Sequence, residues 1–241
     1  MLLERLGKEL LYFDGGMGTL LQSKGLQPGE LPEVWNLEHA EEIVDIHKSY
    51  FEAGSDIVLS NTFGANAIKF HDSKYGLKEI VTAGIQNAKK AAELGVHDGR
   101  TTYVALDVGP TGKLLKPMGD LSFEDAYEAF KETMIYGEEA GADLIHIETM
   151  SDSYEVKAAV LAAKENTSLP VFATMIFDER ETSDRWRCPG SDCHAGGTPR
   201  GCTWNQLWYG TGTDASDPGG YSEIRIGSDH RKTECRTSEA A

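Results

Sequence analysis

The sequence predicts an α/β fold built on a parallel sheet, and three observations support this prediction. Short apolar runs alternate with longer segments of helical period, which is the pattern of βα units. Five such units follow one another before the pattern stops near residue 181. The length of 241 residues also suits one large α/β domain, because a single (β/α)₈ barrel takes about 250 residues.

Each predicted element has its own boundary signal. The first apolar run breaks at the glycines that follow Asp14, and Gly54 ends a helix with a clear apolar face. Ser122 and Asp152 are helix-capping residues, and Pro170 introduces the last strand. The predicted strands are residues 10–13, 56–60, 103–107, 143–147 and 171–177. The predicted helices are residues 40–53, 65–70 and 77–94, a helix from Ser122 to about Ala140, and residues 153–164.

Residues 182–241 form a different kind of sequence. They contain 9 of the glycines, 3 of the 4 tryptophans and all 4 cysteines, without sustained period 2 or 3.6. Their net charge is −1, against −15 for residues 1–181. The sequence therefore divides into residues 1–181, with the βα pattern, and a tail over 182–241 that we expect to be disordered.

The composition excludes several classes of partner. A net charge of −16 and a pI near 4.8 argue against binding to nucleic acid, because the protein's field would repel phosphates. The opening residues 1–11 mix acidic and basic side chains with leucines, so they do not form a signal peptide. No apolar run approaches the ~20 residues that span a bilayer. We expect a cytoplasmic protein without a membrane partner.

We expect the ligand-binding residues at the carboxyl ends of the predicted strands, because parallel α/β folds bind their ligands there. Asp14 offers a carboxylate for an ammonium group, and the glycines after it allow a sharp turn that exposes backbone N–H groups to a carboxylate. This combination suits an amino acid, although Asp-Gly-Gly is also an ordinary turn. Four strand ends carry such polar strings, namely Asp14–Thr19, Asn61–Asn66, Asp107–Gly112 and Glu148–Asp152.

Glu148 strengthens the prediction of an amino-acid site, since a carboxylate that ends an apolar strand is costly unless it is paired. The alternative is a structural salt bridge to a lysine such as Lys113. Asn61 could bind substrate or cap a helix, and Asp107 could be a third anion or could organise its loop. The histidines show no metal-ligand spacing and receive no catalytic role.

The four strings, in this order, closely resemble the homocysteine S-methyltransferase family, and within it the homocysteine-binding domain of cobalamin-dependent methionine synthases. The resemblance covers about residues 8–180. It implies a (β/α)₈ TIM barrel, of which residues 1–181 would be the first five-eighths. It also implies a function, the transfer of a methyl group to the sulfur of homocysteine. The residues expected to bind homocysteine are Asp14, Gly15, Gly16, Gly18, Thr19, Asn61, Asp107 and Glu148.

The resemblance also implies two cofactors. Family members bind zinc through three cysteine thiolates, and the zinc activates the homocysteine thiol. Residues 1–181 contain no cysteine, so the family's zinc ligands are absent from the matching region. Cobalamin would carry the methyl group on a separate domain, and the implied partners are homocysteine and the cobalamin-binding and methyltetrahydrofolate-binding domains.

The tail has two interpretations. Where the family places the phrase Gly-Ile-Asn-Cys-Gly, the chain reads Gly201-Cys202-Thr203 instead. The amino acids of the tail restrict the codons that can encode them. When those codons are read one base later, they permit a helical segment followed by Gly-Ile-Asn-Cys-Gly. This suggests a frameshift near Arg180. The competing interpretation is a genuine tail with a small metal site, although its cysteine spacing is poor for zinc. That site would contain Cys188, Cys193, His194 and Cys202.

Five βα units cannot close an eight-stranded barrel, so we expect exposed sheet edges and no methyl transfer from this polypeptide. The leading hypothesis is a homocysteine S-methyltransferase without its zinc half, with methylcobalamin as donor. One alternative is a methyltransferase that uses a sulfonium or betaine donor. Another is a non-catalytic amino-acid-binding remnant.

Sequencing of the gene across codons 175–190 tests the frameshift hypothesis. We expect the corrected frame to continue through Gly-Ile-Asn-Cys-Gly if an inserted base, or a two-base loss, is an artefact. An unchanged reading frame in which no such phrase follows would contradict the hypothesis.

Overall fold

A computed structural model describes residues 2–177, except residues 7 and 98, together with the backbone of residues 203–209. The described strands form one sheet in the order β1-β2-β3-β4-β5. The first four strands are parallel, which confirms the predicted α/β class. The strands are β1 (Ile57–Leu59), β2 (Tyr103–Val108), β3 (Leu144–Met150), β4 (Val171–Phe177) and β5 (Thr203–Tyr209).

Helices connect consecutive parallel strands, as the βα pattern predicts. The helices are α1 (Leu2–Arg5), α2 (Met17–Lys24), α3 (Trp35–Glu38), α4 (Ala40–Ala53), α5 (Leu77–Gly95), α6 (Phe123–Glu139) and α7 (Ser153–Asn166), with a short 3₁₀ helix at Pro32–Val34. The predicted helix over residues 40–53 is confirmed at both ends, and Gly54 caps it with φ 111°. Asp152 caps α7 as predicted by accepting a hydrogen bond from the Tyr154 N–H.

Both faces of the sheet are buried. This is seen along β2, where successive side chains alternate between two apolar clusters. Val104 and Leu106 belong to the large core beneath the helices, whereas Tyr103 and Ala105 belong to a smaller cluster on the opposite face. That second face is covered by α1 and by the segment around Leu11. Asp107 continues the alternation of Tyr103 and Ala105, so its side chain belongs to the face opposite the helices.

The predicted first strand is reduced to a single bridge. Phe13 pairs in parallel with Ile57, and the Asp14 N–H donates to the Ile57 carbonyl at 3.0 Å. Leu10 and Tyr12 are 63% and 55% exposed, so the rest of the segment lacks the burial that favours a longer strand. The segment still adds an edge beside β1 and places Asp14 at the end of that edge.

The predicted helix at residues 65–70 is wrong, because these residues form turns. The Asn66 side-chain oxygen accepts hydrogen bonds from the N–H groups of Ile68 (3.1 Å) and Lys69 (3.0 Å). A side chain that takes these donors competes with the backbone bonds of a helix. The predicted helix over 77–94 is present as α5.

Strand β5 lies in the tail, where the sequence analysis predicted no regular element. It pairs antiparallel with β4, from Val171 opposite Tyr209 to Phe177 opposite Thr203. The next strand of a (β/α)₈ barrel would instead run parallel to β4. Among the described strands, the sheet does not close into a barrel. The rest of the tail, which we expect to be disordered, lies outside the described residues.

No helix in the described part of the chain is long and apolar enough to cross a membrane.

The hydroxyl of Ser122 caps the start of α6. A substitution at this position therefore tests the predicted helix boundary. Its oxygen accepts from the Asp125 N–H at 3.0 Å. We expect Ser122→Ala to lower the free energy of unfolding by about 1 kcal/mol, because one helix N–H loses its partner. Urea unfolding followed by circular dichroism measures the change. Ser122→Thr, which keeps the hydroxyl, is the control, and an equal loss in both variants would contradict the capping role.

Candidate functional site

The structure brings three of the predicted carboxylates to the same end of the sheet. Asp14 follows the bridge beside β1, Asp107 lies near the end of β2, and Glu148 lies near the end of β3. Their charges act on one another, since the Glu148 and Asp14 carboxylates both help to raise the pKa of Asp107. Adjacent parallel strands therefore assemble one acidic site, as the strand-end argument predicts.

Asp14 is held by its backbone neighbours but keeps one oxygen atom without a partner. Its Oδ2 accepts a hydrogen bond from the Leu59 N–H at 3.1 Å. Its Oδ1 is buried and has no hydrogen-bond partner among the described residues. Burial, with a smaller contribution from the charge of Glu148, raises the pKa of Asp14 to about 8. Asp14 is therefore mostly protonated at neutral pH.

Asp107 is the most deeply buried of the three carboxylates, with 6% of the residue exposed. The loop after β1 fixes its backbone, because the Thr62 hydroxyl donates to the Asp107 carbonyl at 2.8 Å and the Asp107 N–H donates to the Ser60 hydroxyl at 3.2 Å. Its Oδ1 has no partner in the described part of the chain. Burial first, and then the charges of Glu148, Asp14 and Glu33, raise the pKa of Asp107 well above its usual value. A loop-organising role would need hydrogen bonds to this oxygen, and none is described.

Glu148 stands in an irregular part of β3, where the register to β4 shifts between Ile147 and Met150. The next residue, Thr149, has φ 60°, a left-handed conformation that is rare for a β-branched residue. Such strain is typical of functional sites, because it persists only where the surroundings enforce it. Leu144 belongs to the cluster opposite the helices, so the alternation of β3 places His146 and Glu148 on the same face as Asp107.

The ion-pair contact that the described structure gives Glu148 is with His146, not with Lys113. The His146 Nδ1 atom lies 4.0 Å from Glu148 Oε2. Burial lowers the pKa of His146 to about 4, so this imidazole is neutral at neutral pH and does not balance the carboxylate. Burial also raises the pKa of Glu148. The salt-bridge alternative for Glu148 therefore lacks support in the structure.

Glu33 is a fourth acidic residue of the site, and the sequence analysis missed it. Its Oε1 accepts from the Gly64 N–H at 2.5 Å, while Oε2 is buried and has no described partner. Burial raises the pKa of Glu33, and the charge of Lys69 partly opposes this effect. In the sequence Glu33 follows Pro32 at a helix start, where acids are ordinary, so no signal distinguished it.

The glycines after Asp14 open the start of α2 to a ligand. A Cβ atom on Gly15 would lie 3.0 Å from the Tyr50 hydroxyl, so a side chain at this position would press against the Tyr50 ring. Gly18 faces open space, and the Thr19 side chain is exposed. No side chain caps the first turn of α2, so the N–H groups that follow Asp14 have no side-chain acceptor from the cap residue.

Asn61 lies at the predicted strand end, but its side chain serves the structure. Its amide group donates to the Pro32 carbonyl at 2.8 Å and to Asn36 Oδ1 at 3.1 Å. The Asn36 amide returns a hydrogen bond to the Asn61 carbonyl at 2.7 Å. Both amide hydrogens of Asn61 are thus committed to the segment that carries Glu33. This favours a supporting role, and substrate binding by Asn61 stays a prediction.

The loop after β2 is fixed from two sides. Gly109 packs under the Phe63 ring, and a Cβ atom there would lie 2.5 Å from Phe63 Cε2. Glu155 accepts from the Thr111 N–H at 2.8 Å and from the Thr111 hydroxyl at 2.6 Å. The loop at the mouth of the site is therefore pre-formed, which lowers the entropy cost of ligand binding.

The described residues contain no metal site. No group of three or more His, Cys, Asp or Glu side chains among them could hold a metal ion. The four cysteines at positions 188, 193, 202 and 235 lie outside the described residues, as does the alternative metal site in the tail. The buried histidines at positions 47 and 146 are neutral, because burial lowers their pKa values to about 3 and about 4.

Comparisons with known proteins agree on one family. The family model described as homocysteine S-methyltransferase matches residues 11–195, and so continues past the boundary expected at residue 181. The chain is 34% identical over 198 residues to the methionine synthase of Mycobacterium tuberculosis and 31% identical over 197 residues to that of Mycobacterium leprae. Each match covers 75% of this chain but spans only 16% of the relative's length.

Solved structures show the same fold. The oxidized form of the homocysteine methyltransferase MmuM from Escherichia coli matches with a TM-score of 0.59 and 22% identity, over 67% of this chain and 60% of that chain. The metallated form of the same protein matches with a TM-score of 0.60 and 22% identity, over 70% of this chain and 63% of that chain.

The buried carboxyl group of Asp14 predicts how stability depends on pH. Its pKa is raised from 3.8 to about 8, so the folded protein holds a proton that the unfolded chain releases between these values. Stability should therefore fall as the pH rises through this window. We expect Asp14→Asn to escape this loss and to gain roughly 2 kcal/mol over wild type between about pH 5 and about pH 8.

Urea unfolding at several pH values measures this difference. Asp45→Asn, which changes an exposed carboxylate on α4, is the control, and its difference from wild type should stay constant. A difference for Asp14→Asn that does not grow with pH would contradict the prediction.

Proposed function

Because this chain belongs to the homocysteine S-methyltransferase family, we propose that its acidic site binds the α-ammonium group of homocysteine as the acceptor of a methyl group. The observation that carries the proposal is the pair of buried carboxyl oxygens, Asp14 Oδ1 and Asp107 Oδ1, that lack described hydrogen-bond partners. Buried acceptors without partners are costly unless a ligand supplies the donors. An ammonium group has three N–H donors and the positive charge that the site lacks.

The carboxylate of the amino acid has a matching position. The first turn of α2 offers backbone N–H groups directly after Asp14, and the helix dipole favours an anion there. Gly18 leaves the approach open, since nothing lies within 4 Å of a Cβ atom at this position. Asp14, Gly15, Gly16, Gly18 and Thr19 would then hold the two charged ends of one zwitterion, with Asp107 and Glu148 completing the ammonium side.

The proposal covers binding and orientation of homocysteine, not activation of its thiol. Methyl transfer needs a thiolate, and the resemblance assigns its formation to zinc bound by cysteines. The described part of the chain offers no such ligand set. We therefore propose no catalytic residue among residues 2–177, and we expect no methyl transfer from this polypeptide.

The methyl donor is proposed to be methylcobalamin on a separate domain, with a methyltetrahydrofolate-binding domain as a further partner. The two curated relatives are methionine synthases, and the match occupies 16% of their length, which leaves room in those proteins for additional domains. A sulfonium or betaine donor is the alternative.

A second candidate function is amino-acid binding without catalysis. The complete acidic site together with the lack of a metal cluster among the described residues favours it for this polypeptide. The two candidates differ in what zinc does: a methyltransferase binds homocysteine more tightly with zinc, whereas a remnant binds it equally with and without the metal.

Calorimetric titration with L-homocysteine tests the proposal, with and without added zinc. We expect binding by the wild type and an affinity about 10- to 100-fold lower in Asp14→Asn and in Glu148→Gln, because each variant loses a charge-assisted hydrogen bond. Glu93→Gln, on the exposed side of α5, is the control and should bind like the wild type. Absence of homocysteine binding to the wild type would overturn the proposed function.

A further inference from the structure

The acidic site buries more negative charge than its surroundings can balance. Asp14, Glu33, Asp107 and Glu148 influence one another across the ends of adjacent strands. Three of their oxygen atoms, Asp14 Oδ1, Glu33 Oε2 and Asp107 Oδ1, are buried without a described hydrogen-bond partner. Four carboxylates cannot all stay ionised in such a place unless positive charge reaches them.

The groups that face the cluster supply little positive charge. His146, beside Glu148, is neutral because of its burial. Tyr50, whose hydroxyl donates to the Gly16 carbonyl at 3.3 Å, is itself affected by the charge of Asp14, which helps to raise its pKa. Lys69 acts on Glu33 alone among the four, and its Nζ donates to the Pro110 carbonyl at 3.3 Å.

A bound metal ion is not the missing charge within the described residues, since no three ligand side chains converge there. The proton and the ammonium group of a ligand are two small cations that suit such oxygen atoms. Both neutralise a carboxylate, so they compete for the same oxygen atoms. Asp107, which is deeply buried and has an Oδ1 without a described partner, is the clearest place for this competition.

We propose that the ligand-free site is neutralised by protons on its buried carboxyl groups, and that an α-ammonium group releases about one of them to solvent when it binds. This inference rests on the proposed function and deepens it, because it makes a free, protonated amine the determinant of recognition. The proton leaves from Asp14 or Asp107, and the ammonium N–H groups donate to the oxygen that it vacates.

The exchange gives amino-acid binding a defined pH dependence. Below the raised pKa values of Asp14 and Asp107, protons compete with the ligand, so affinity should rise with pH by up to about tenfold per pH unit. The rise should end where the carboxyl groups are already ionised. At higher pH the ligand's own amine loses its proton and affinity should fall.

Calorimetry in buffers with different heats of ionisation, all at neutral pH, counts the protons that are released. L-methionine is titrated beside L-homocysteine, because methionine has no thiol proton and reports the carboxyl groups alone. We expect about one proton released per methionine bound. The deaminated analogue 4-(methylthio)butanoic acid, which lacks the amine, should bind weakly and release none.

The outcomes separate this inference from the proposed function. Methionine binding with the same heat in every buffer would overturn the proton exchange and leave the amino-acid site intact. Failure of both amino acids to bind would overturn the proposed function.

A second measurement tests the protons without any ligand. Carbon-13 NMR of protein labelled at the aspartate carboxyl groups should show two resonances that titrate well above the others, and Asp14→Asn and Asp107→Asn should each remove one. If every aspartate titrates in its ordinary range, Asp14 and Asp107 do not carry protons at neutral pH, and the proposed proton exchange is disproved whatever the calorimetry shows.

Discussion

The desolvation of carboxyl groups at the strand ends is the constraint on which this site depends. Burying a charged carboxylate costs desolvation free energy, which hydrogen bonds or an opposite charge normally offset. Here the backbone partly supports Asp14 and Glu33, through the Leu59 and Gly64 N–H groups, and leaves the second oxygen of each without a described partner. Burial therefore favours the protonated form of these acids, or a positively charged partner beside them.

The fold makes this arrangement possible by placing rigid elements around the acids. Hydroxyl groups of the loop after β1 fix the backbone of Asp107. Glu148 lies where the register between β3 and β4 shifts, next to the left-handed Thr149. The glycine at position 109 lets the neighbouring loop pack against an aromatic ring. Preorganised groups of this kind give a binding site its affinity, because little remains to be ordered when the ligand arrives.

The sequence predicted those parts of the structure whose signals are local. The helix at residues 40–53 and the strand at 171–177 match the structure, because apolar period and boundary residues act on the same few positions. The turns at residues 65–70 were missed because the side chain of Asn66 replaces backbone partners, which a period cannot show. The short first strand was missed because strand length depends on burial by distant residues.

The same distinction applies to the site. Asp14, Asp107 and Glu148 were found because the ends of parallel strands meet at one edge, a rule of topology that sequence order encodes. Glu33 reaches the site only through a tertiary contact with Gly64, and Asn61 turns away toward Pro32 for a similar reason. In β5, Thr203–Tyr209, three aromatic residues and one β-branched residue favour a strand, and these were the signal that could have revealed it.

The position of β5 bears on two parts of the family's reaction, the binding of the amino acid and the activation of its sulfur. An antiparallel strand occupies the edge of β4 where a barrel would continue with a parallel one, so the described sheet does not follow the barrel beyond this point. The acids of the site lie between Asp14 and Glu148, and the contacts described for them are with residues of that same stretch. Under the proposed function, recognition of the amino acid and activation of its sulfur would rest on different stretches of chain, so the first would not require the second.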